Sequence, residues 1–332
     1  MDKFRGHVLS ETKLAEVAAL YSVRIASYGL VEGGYRNVSH SFTGSNGTRY
    51  NFILYKHELG IVQLIRRTNA LGVHVAGKNL PVRAPADNRI LQVGRRYGSL
   101  YNYLDGATIP WEAYTKKHIK LLGMAMAKFH VAASDYAGPT LPDVEDVYED
   151  IFGRVTAYFE DTHVQRALHE KLGLSVDIPD FSGFLGLAKR LPGRTALHMD
   201  MVRSNVLFRG AYEGDALVIE TLALSGILDL EKAATGHPLF DVARTLAFLL
   251  VDCPKPPEKT KKYFLDSGYR KRGGLDIKPV RIAGADMLDQ LQTLFLTYDF
   301  YKFLKQNPYE SLPKNHHFKR TVDILIAQKV LH

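Results

Sequence analysis

Two carboxylates and an amide, set at fixed spacing along the chain, are the residues best suited to chemistry. They lie in His198-Met-Asp200-Met-Val-Arg-Ser-Asn205-Val-Leu-Phe208, a polar loop entering a short apolar run, and in Ser225-Gly-Ile-Leu-Asp229-Leu-Glu231. Phosphoryl transfer from ATP needs a carboxylate to orient an attacking hydroxyl and accept its proton, and oxygen ligands for the Mg²⁺ that bridges the phosphates. In a His-x-Asp-x-x-x-x-Asn octet the Asp can face the hydroxyl while the Asn, five residues on, turns its side-chain oxygen to the metal. A second Asp at the end of an apolar strand completes the set. Asp200 is therefore read as the catalytic carboxylate, and Asn205 and Asp229 as the Mg²⁺ ligands.

The octet, the strand and the second Asp together resemble the catalytic core of the aminoglycoside phosphotransferase and choline kinase superfamily, relatives of the protein kinases that phosphorylate small-molecule hydroxyls. Gly236-His-Pro238-Leu-Phe-Asp241-Val-Ala243 resembles the segment that follows in that family. In general pattern the chain is most similar to type II homoserine kinase-like proteins, over roughly residues 25–300. The resemblance implies a bilobal, protein-kinase-like α+β fold: a small antiparallel-sheet lobe over residues 1–106 and a mainly helical lobe over 107–332. It also implies that Asp241 is a buried support of the catalytic loop, with His198 supporting the same loop by hydrogen bonding rather than moving protons. Arg203, inside the octet, is a candidate contact for the transferred phosphate.

The elements that would position these groups can be traced in order. Residues 10–21 set Leu14, Val17, Ala18 and Tyr21 on one helical face, with Ser10 or Thr12 as cap. Gly33-Gly34 stands before a strand and Asn46-Gly47 between two, a hairpin signal; the first glycine pair permits the close backbone approach that a phosphate-covering loop requires. Alternation in the second strand puts Tyr50, Phe52, Leu54 and Lys56 on one face, and Ile53-Leu-Tyr-Lys56 resembles the Val-Ala-Ile-Lys of protein kinases, making Lys56 the phosphate-contacting lysine. A helix over about 59–78 follows without the glutamate that many kinases pair with this lysine. Asn102 and Tyr103 are placed to offer backbone groups to the adenine edge at the hinge. Pro110 is expected to begin the long central helix, and a further helix to run from the acidic stretch 142–151 to about Leu172. Glu149 and Asp150 in that stretch are read either as holding a cationic substrate or, the reading we favour, as a solvated helix start. Cys253 to Lys262 is read as a proline-rich loop, and Lys314 to Arg320 as a solvated helix end. Glu231 is either a further carboxylate near the metal or a solvent-facing one.

Composition narrows the alternatives. Of 332 residues, 46% are hydrophobic and 23% charged, as in soluble globular proteins, and no apolar run approaches a membrane span. A single cysteine, Cys253, suits a reducing cytoplasm. The excess of 43 Lys and Arg over 35 Asp and Glu, +8, also fits nucleic acid, but no zinc pattern or basic helix accompanies it. The expected function is transfer of the γ-phosphate of ATP, with Mg²⁺, to a hydroxyl of a small metabolite or aminoglycoside-type antibiotic. An atypical Ser/Thr protein kinase and a non-catalytic, nucleotide-binding pseudokinase are the other readings.

Overall fold

The computed structural model describes residues 8–33, 37–213, 216–272, 280–282 and 284–332. Ser10 caps the first helix, α1 (Glu11–Leu20), its hydroxyl accepting from the Lys13 amide. Three strands follow, β1 (Ile25–Gly33), β2 (Val38–Gly44) and β3 (Arg49–Leu54); then helix α2 (Ile61–Ala76) and strands β4 (Pro85–Val93) and β5 (Arg96–Asn102). They form one antiparallel sheet in the order β1-β2-β3-β5-β4. In the β2–β3 turn only Gly47 takes up a positive φ, +77°, while the Asn46 side chain accepts from the Thr48 amide.

Strand β3 is buried on both sides, so its alternation sorts side chains between two cores. Phe52 and Leu54 join Leu14, Val17 and Tyr21 beneath α1. Ile53 and Tyr55 face α2 and meet Ile61, Ile65 and Tyr101. Burying each such large side chain contributes about 1.5–3 kcal/mol, enough to fix the strand's register.

The rest of the chain is mainly helical. A 3₁₀ turn, Trp111–Ala113, precedes the central helix α3 (Lys116–Ala133), which Thr115 and His118 start with a capping box. The expected helix start at Pro110 is thus six residues before the observed one at Lys116. Helices α4 (Val144–Glu160) and α5 (Thr162–Leu172) replace the single expected helix, because the Asp161 carboxylate accepts from the His163 and Val164 amides and opens a new helix. Helix α6 (Phe181–Ala188) leads to four short strands: β6 (Thr195–Leu197), β7 (Val206–Arg209), β8 (Ala223–Ile227) and β9 (Ala234–Gly236). Helices α7 (Leu239–Asp252), α8 (Pro257–Phe264), α9 (Met287–Gln306) and α10 (His316–Ala327) complete the lobe. Helix α8 lies inside the stretch expected to be loop, with Pro257 in its first turn, where a missing N–H costs nothing. Among the described residues no helix is long and apolar enough to cross a membrane.

The four short strands explain how distant residues meet. Strand β7 pairs with β8, Val206 opposite Ile227, and β6 pairs with β9, Leu197 opposite Ala234. The pairs are nested, so the loop from β6 to β7 and the loop from β8 to β9 emerge at the same end. The connection between β7 and β8 is longer than a tight hairpin and pairs Tyr212 with Leu217, and the β7–β8 register shifts by a residue between Leu224 and Gly226.

The central helix crosses the segment after α8 at a point where two glycines meet. A Cβ on Gly123 would lie 2.3 Å from the Phe264 carbonyl oxygen, and Gly268 approaches from the other side. Neither neighbour is a side chain that could rotate away. Gly123→Ala is therefore expected to destabilise the fold by about 1–3 kcal/mol despite alanine's better helix propensity, measured as a lower midpoint in urea with unchanged slope.

Candidate active site

The loop between β6 and β7 is held by one buried carboxylate on α7. Asp241 accepts the backbone N–H groups of His198 at 2.7 Å and Met199 at 2.5 Å, and His130 Nε2 of α3 at 2.9 Å. Burial opposes its charge, but His130 and these amides outweigh it and keep the carboxyl below its ordinary range. His198 is also buried. Its Nδ1 accepts from the Asp200 amide and its Nε2 donates to the Leu228 carbonyl at 2.9 Å, tying the two nested loops together. Met199 at φ +58° and Asp229 at φ +57° are left-handed, one in each loop, a conformation that persists only where surroundings impose it.

Asp200 emerges from this scaffold into a cationic setting. Its Oδ1 accepts from Arg244 Nη2 at 2.9 Å and its Oδ2 from Lys232 Nζ at 2.8 Å. Burial raises its pKa, but the two cations prevail and lower it to about 2. Asn205 donates Nδ2 to the Asp200 carbonyl at 2.9 Å, and its amide oxygen accepts from the Ser204 hydroxyl at 3.4 Å. Asp229 follows Leu228 across the cleft, its Oδ1 accepting from the Glu231 amide at 3.1 Å. Asn37, at the start of β2, donates to Glu231 Oε1 and accepts the Lys56 amide, so the β1–β2 hairpin reaches the second loop. Glu231 thus lies at the lobe interface rather than in open solvent.

The other sequence-derived positions fall as follows. Gly33 ends β1 at that hairpin's tip, exposed; Gly34 lies outside the described residues. Lys56 does not join the carboxylates. The face it shares with Phe52 and Leu54 is the one under α1, and its own side chain is exposed beyond the strand end. Tyr55 takes the inward place, its hydroxyl 2.6 Å from that of Tyr101, which donates to Asn69 of α2 at 2.7 Å. A cavity of about 20 Å³ there is lined by Tyr55, Asn69, Arg83, Asp229 and Glu231, so Arg83 is the cation that shares this cavity with Asp229. At the hinge the Asn102 and Tyr103 amides already donate to Ala84 and Arg49 carbonyls, so only their carbonyls could meet an adenine edge. Glu149 and Asp150 are exposed and line neither cavity beside Asp200.

Those two cavities measure about 620 and 330 Å³. The larger is lined by Asp200, Arg203, Arg244 and Lys302 and by His317 of the C-terminal cluster. His317 is not on a solvated helix end: its Nδ1 donates to Asp252 at 2.7 Å and its Nε2 to Asp299 at 2.9 Å, joining α10 to α7 and α9. Lys232, Arg244 and His317 were not among the sequence candidates. The nearest signal for Arg244 was its place three residues beyond Asp241, on the same side of the helix.

The sequence pattern of the phosphotransferase enzyme family matches residues 29–273, most of the chain and all of both loops. The chain belongs to that family. Among solved structures, this phosphotransferase is similar to the macrolide 2′-phosphotransferase of Brachybacterium faecium: 16% identity over 93% of this chain and 96% of that one, TM-score 0.58. An amicoumacin kinase in complex with AMP-PNP, Ca²⁺ and amicoumacin aligns at 11% identity over 97% and 96%, TM-score 0.65. A microcompartment-associated aminopropanol kinase aligns at 15% identity over 97% and 99%, TM-score 0.60. No protein with a curated function matches it in sequence.

In this phosphotransferase His317 makes stability depend on pH. Burial opposes its charge, but Asp252 and Asp299 raise its pKa to about 9; Lys302, on the far side of Asp299, is the other charge facing it. A raised pKa stabilises the fold fully below the unfolded value of about 6.5, and that stabilisation is lost as pH rises through the folded value. Unfolding free energy should therefore fall by up to about 3 kcal/mol between those limits, and His317→Gln should flatten the fall. Urea titrations across this range check it; an equal slope in wild type and variant would refute it.

Proposed function

We propose that this phosphotransferase moves the γ-phosphoryl group of ATP, with Mg²⁺, to a hydroxyl of a small molecule seated in the larger cavity. The observation that carries the reading is the opening of that cavity onto Asp200, with Asn205 and Asp229 on the neighbouring loop ends. The likeness to an aminopropanol kinase and to enzymes acting on antibiotics supports a small acceptor.

Asp200 orients the acceptor hydroxyl and takes its proton as the oxygen bonds to the γ-phosphorus. The bond to the β,γ-bridging oxygen breaks, and ADP leaves with that electron pair. A carboxyl with a pKa of about 2 is a weak base, so the proton moves late, after the hydroxyl has begun to bond to phosphorus. Lys232 and Arg244 fix the carboxylate's direction, and Arg244 is itself held by the Tyr148 hydroxyl at 3.1 Å.

The donor set fits Mg²⁺. Among the described residues no group of three or more His, Cys, Asp or Glu side chains could hold a metal unaided. Asp229 and the Asn205 amide oxygen would supply what an ion shared with phosphates takes from a protein: a carboxylate and few other ligands. Such an ion neutralises the charge developing on the phosphate oxygens. Asn102 and Tyr103 carbonyls and the Gly33-Gly34 tip remain proposed nucleotide contacts.

Asp229→Asn tests the reading, because Asn tolerates the left-handed backbone while removing the carboxylate. Transfer of label from γ-labelled ATP to a panel of hydroxyl compounds should fall about 10³-fold or more, with stability within about 1 kcal/mol of wild type. Wild-type turnover in this variant would end the proposal.

A further inference from the structure

Three cations are common to both cavities beside Asp200: Lys232, Arg244 and Lys302. Neither cavity is lined by Asp229 or Asn205, so this wall belongs to the acceptor side of Asp200. The hydrogen-bonding capacity of the wall is unequal. The carboxylates of the two cavities are engaged: Asp200 by Lys232 and Arg244, Asp299 by His317 and Lys302, Asp252 by His317, Glu112 by Arg203 and Glu231 by Asn37. The wall's donors are not exhausted. Arg244 is 5% exposed and its Nε has no partner. Lys232 and Lys302 each carry three donors and are each held by a single carboxylate contact within 2.8 Å. The Lys302 ammonium also lies 5.0 Å from the Tyr298 ring centre and 5.7 Å from that of Phe248, contacts that hold it at the wall common to both cavities.

Two ammonium groups with donors to spare, lining the same cavities as a buried guanidinium, favour an occupant that brings negative charge. The opposite occupant, a cationic substrate, would need Asp252 or Asp299, and the His317 imidazolium already lies between them. We propose that this wall is an oxyanion subsite: the acceptor is a hydroxyl compound carrying a carboxylate or phosphate group, which Lys302 and Arg244 hold while its hydroxyl faces Asp200. The inference rests on the small-molecule kinase reading for the role of Asp200, but the anion's recognition is a separate property of the same cavity. Lys302 is its specificity residue, since Lys232 and Arg244 also serve Asp200.

A polyol series differing only at C1 tests it: gluconate, sorbitol 1-phosphate, neutral gluconamide and cationic glucamine. Calorimetric binding to the full chain and transfer of label from Mg-ATP are both measured. At least one anion should bind about 10- to 100-fold more tightly than gluconamide and glucamine. Lys302→Gln should remove that preference, raising KM for the anion with a smaller change in kcat, and Lys302→Arg should restore it. Carboxylate and phosphate sources are separated by which of the two anions prevails. Equal binding of charged and neutral members, no binding of either anion, or an unchanged preference in a folded Lys302→Gln variant would overturn the subsite. Anion binding that depends on Lys302 without any transfer would uphold the subsite and sink the kinase reading instead.

Discussion

One buried carboxylate decides where the chemistry can occur. Asp241 has no access to water and meets its charge with two backbone amides of the 198–199 stretch and a histidine from the central helix. Removing one partner of such a buried set costs about 3–5 kcal/mol, because the remaining charge or donors lose their compensation. That energy imposes the left-handed turn at Met199 and so directs Asp200 outward. His198 carries the constraint across to Leu228, the residue before the second left-handed turn at Asp229. The two carboxylates that matter most are therefore located by one interaction neither of them makes.

Around Asp200 the protein has placed more positive charge than one carboxylate needs. An isolated buried arginine would be very costly; Arg244 is tolerated because Asp200 and the Tyr148 hydroxyl meet part of its fork. The resulting low pKa removes Asp200 as a strong base and leaves it as a fixed acceptor of direction. This suits a reaction in which bond breaking at phosphorus runs ahead of proton loss.

The fold was legible wherever one period ruled a segment. α1, the antiparallel strands, α2 and α7 follow from apolar spacing alone, and the octet with Asp229 marked the two loops. Legibility failed where a side chain overrode the period. Asp161 reopens a helix that hydrophobicity would have continued, and Thr115 with His118 delays one that Pro110 could have begun. Lys56 shows a different failure. Its alternation with Phe52 and Leu54 was read correctly, but sequence does not say which face of a strand buried on both sides looks into the cleft. His317 lay in a basic stretch whose charges suggested solvent, and only the approach of Asp252 and Asp299 from other helices gives it a buried role.

The inward position at the end of β3 holds a neutral tyrosine, and this changes how charge reaches Asp229. A lysine there would ride on the small lobe and align with Asp229 only when the lobes close. Tyr55 instead joins Tyr101 and Asn69 in a hydrogen-bonded chain. The cation lining the cavity with Asp229 is Arg83, on the connector between α2 and β4. That connector adds to the edge of β8: the Arg83 amide donates to the Ile227 carbonyl at 2.8 Å, and the Ile227 amide to the Pro81 carbonyl at 2.7 Å. Ile227 stands two residues before Asp229. The backbone of Arg83 is thus fastened to the strand that leads to Asp229.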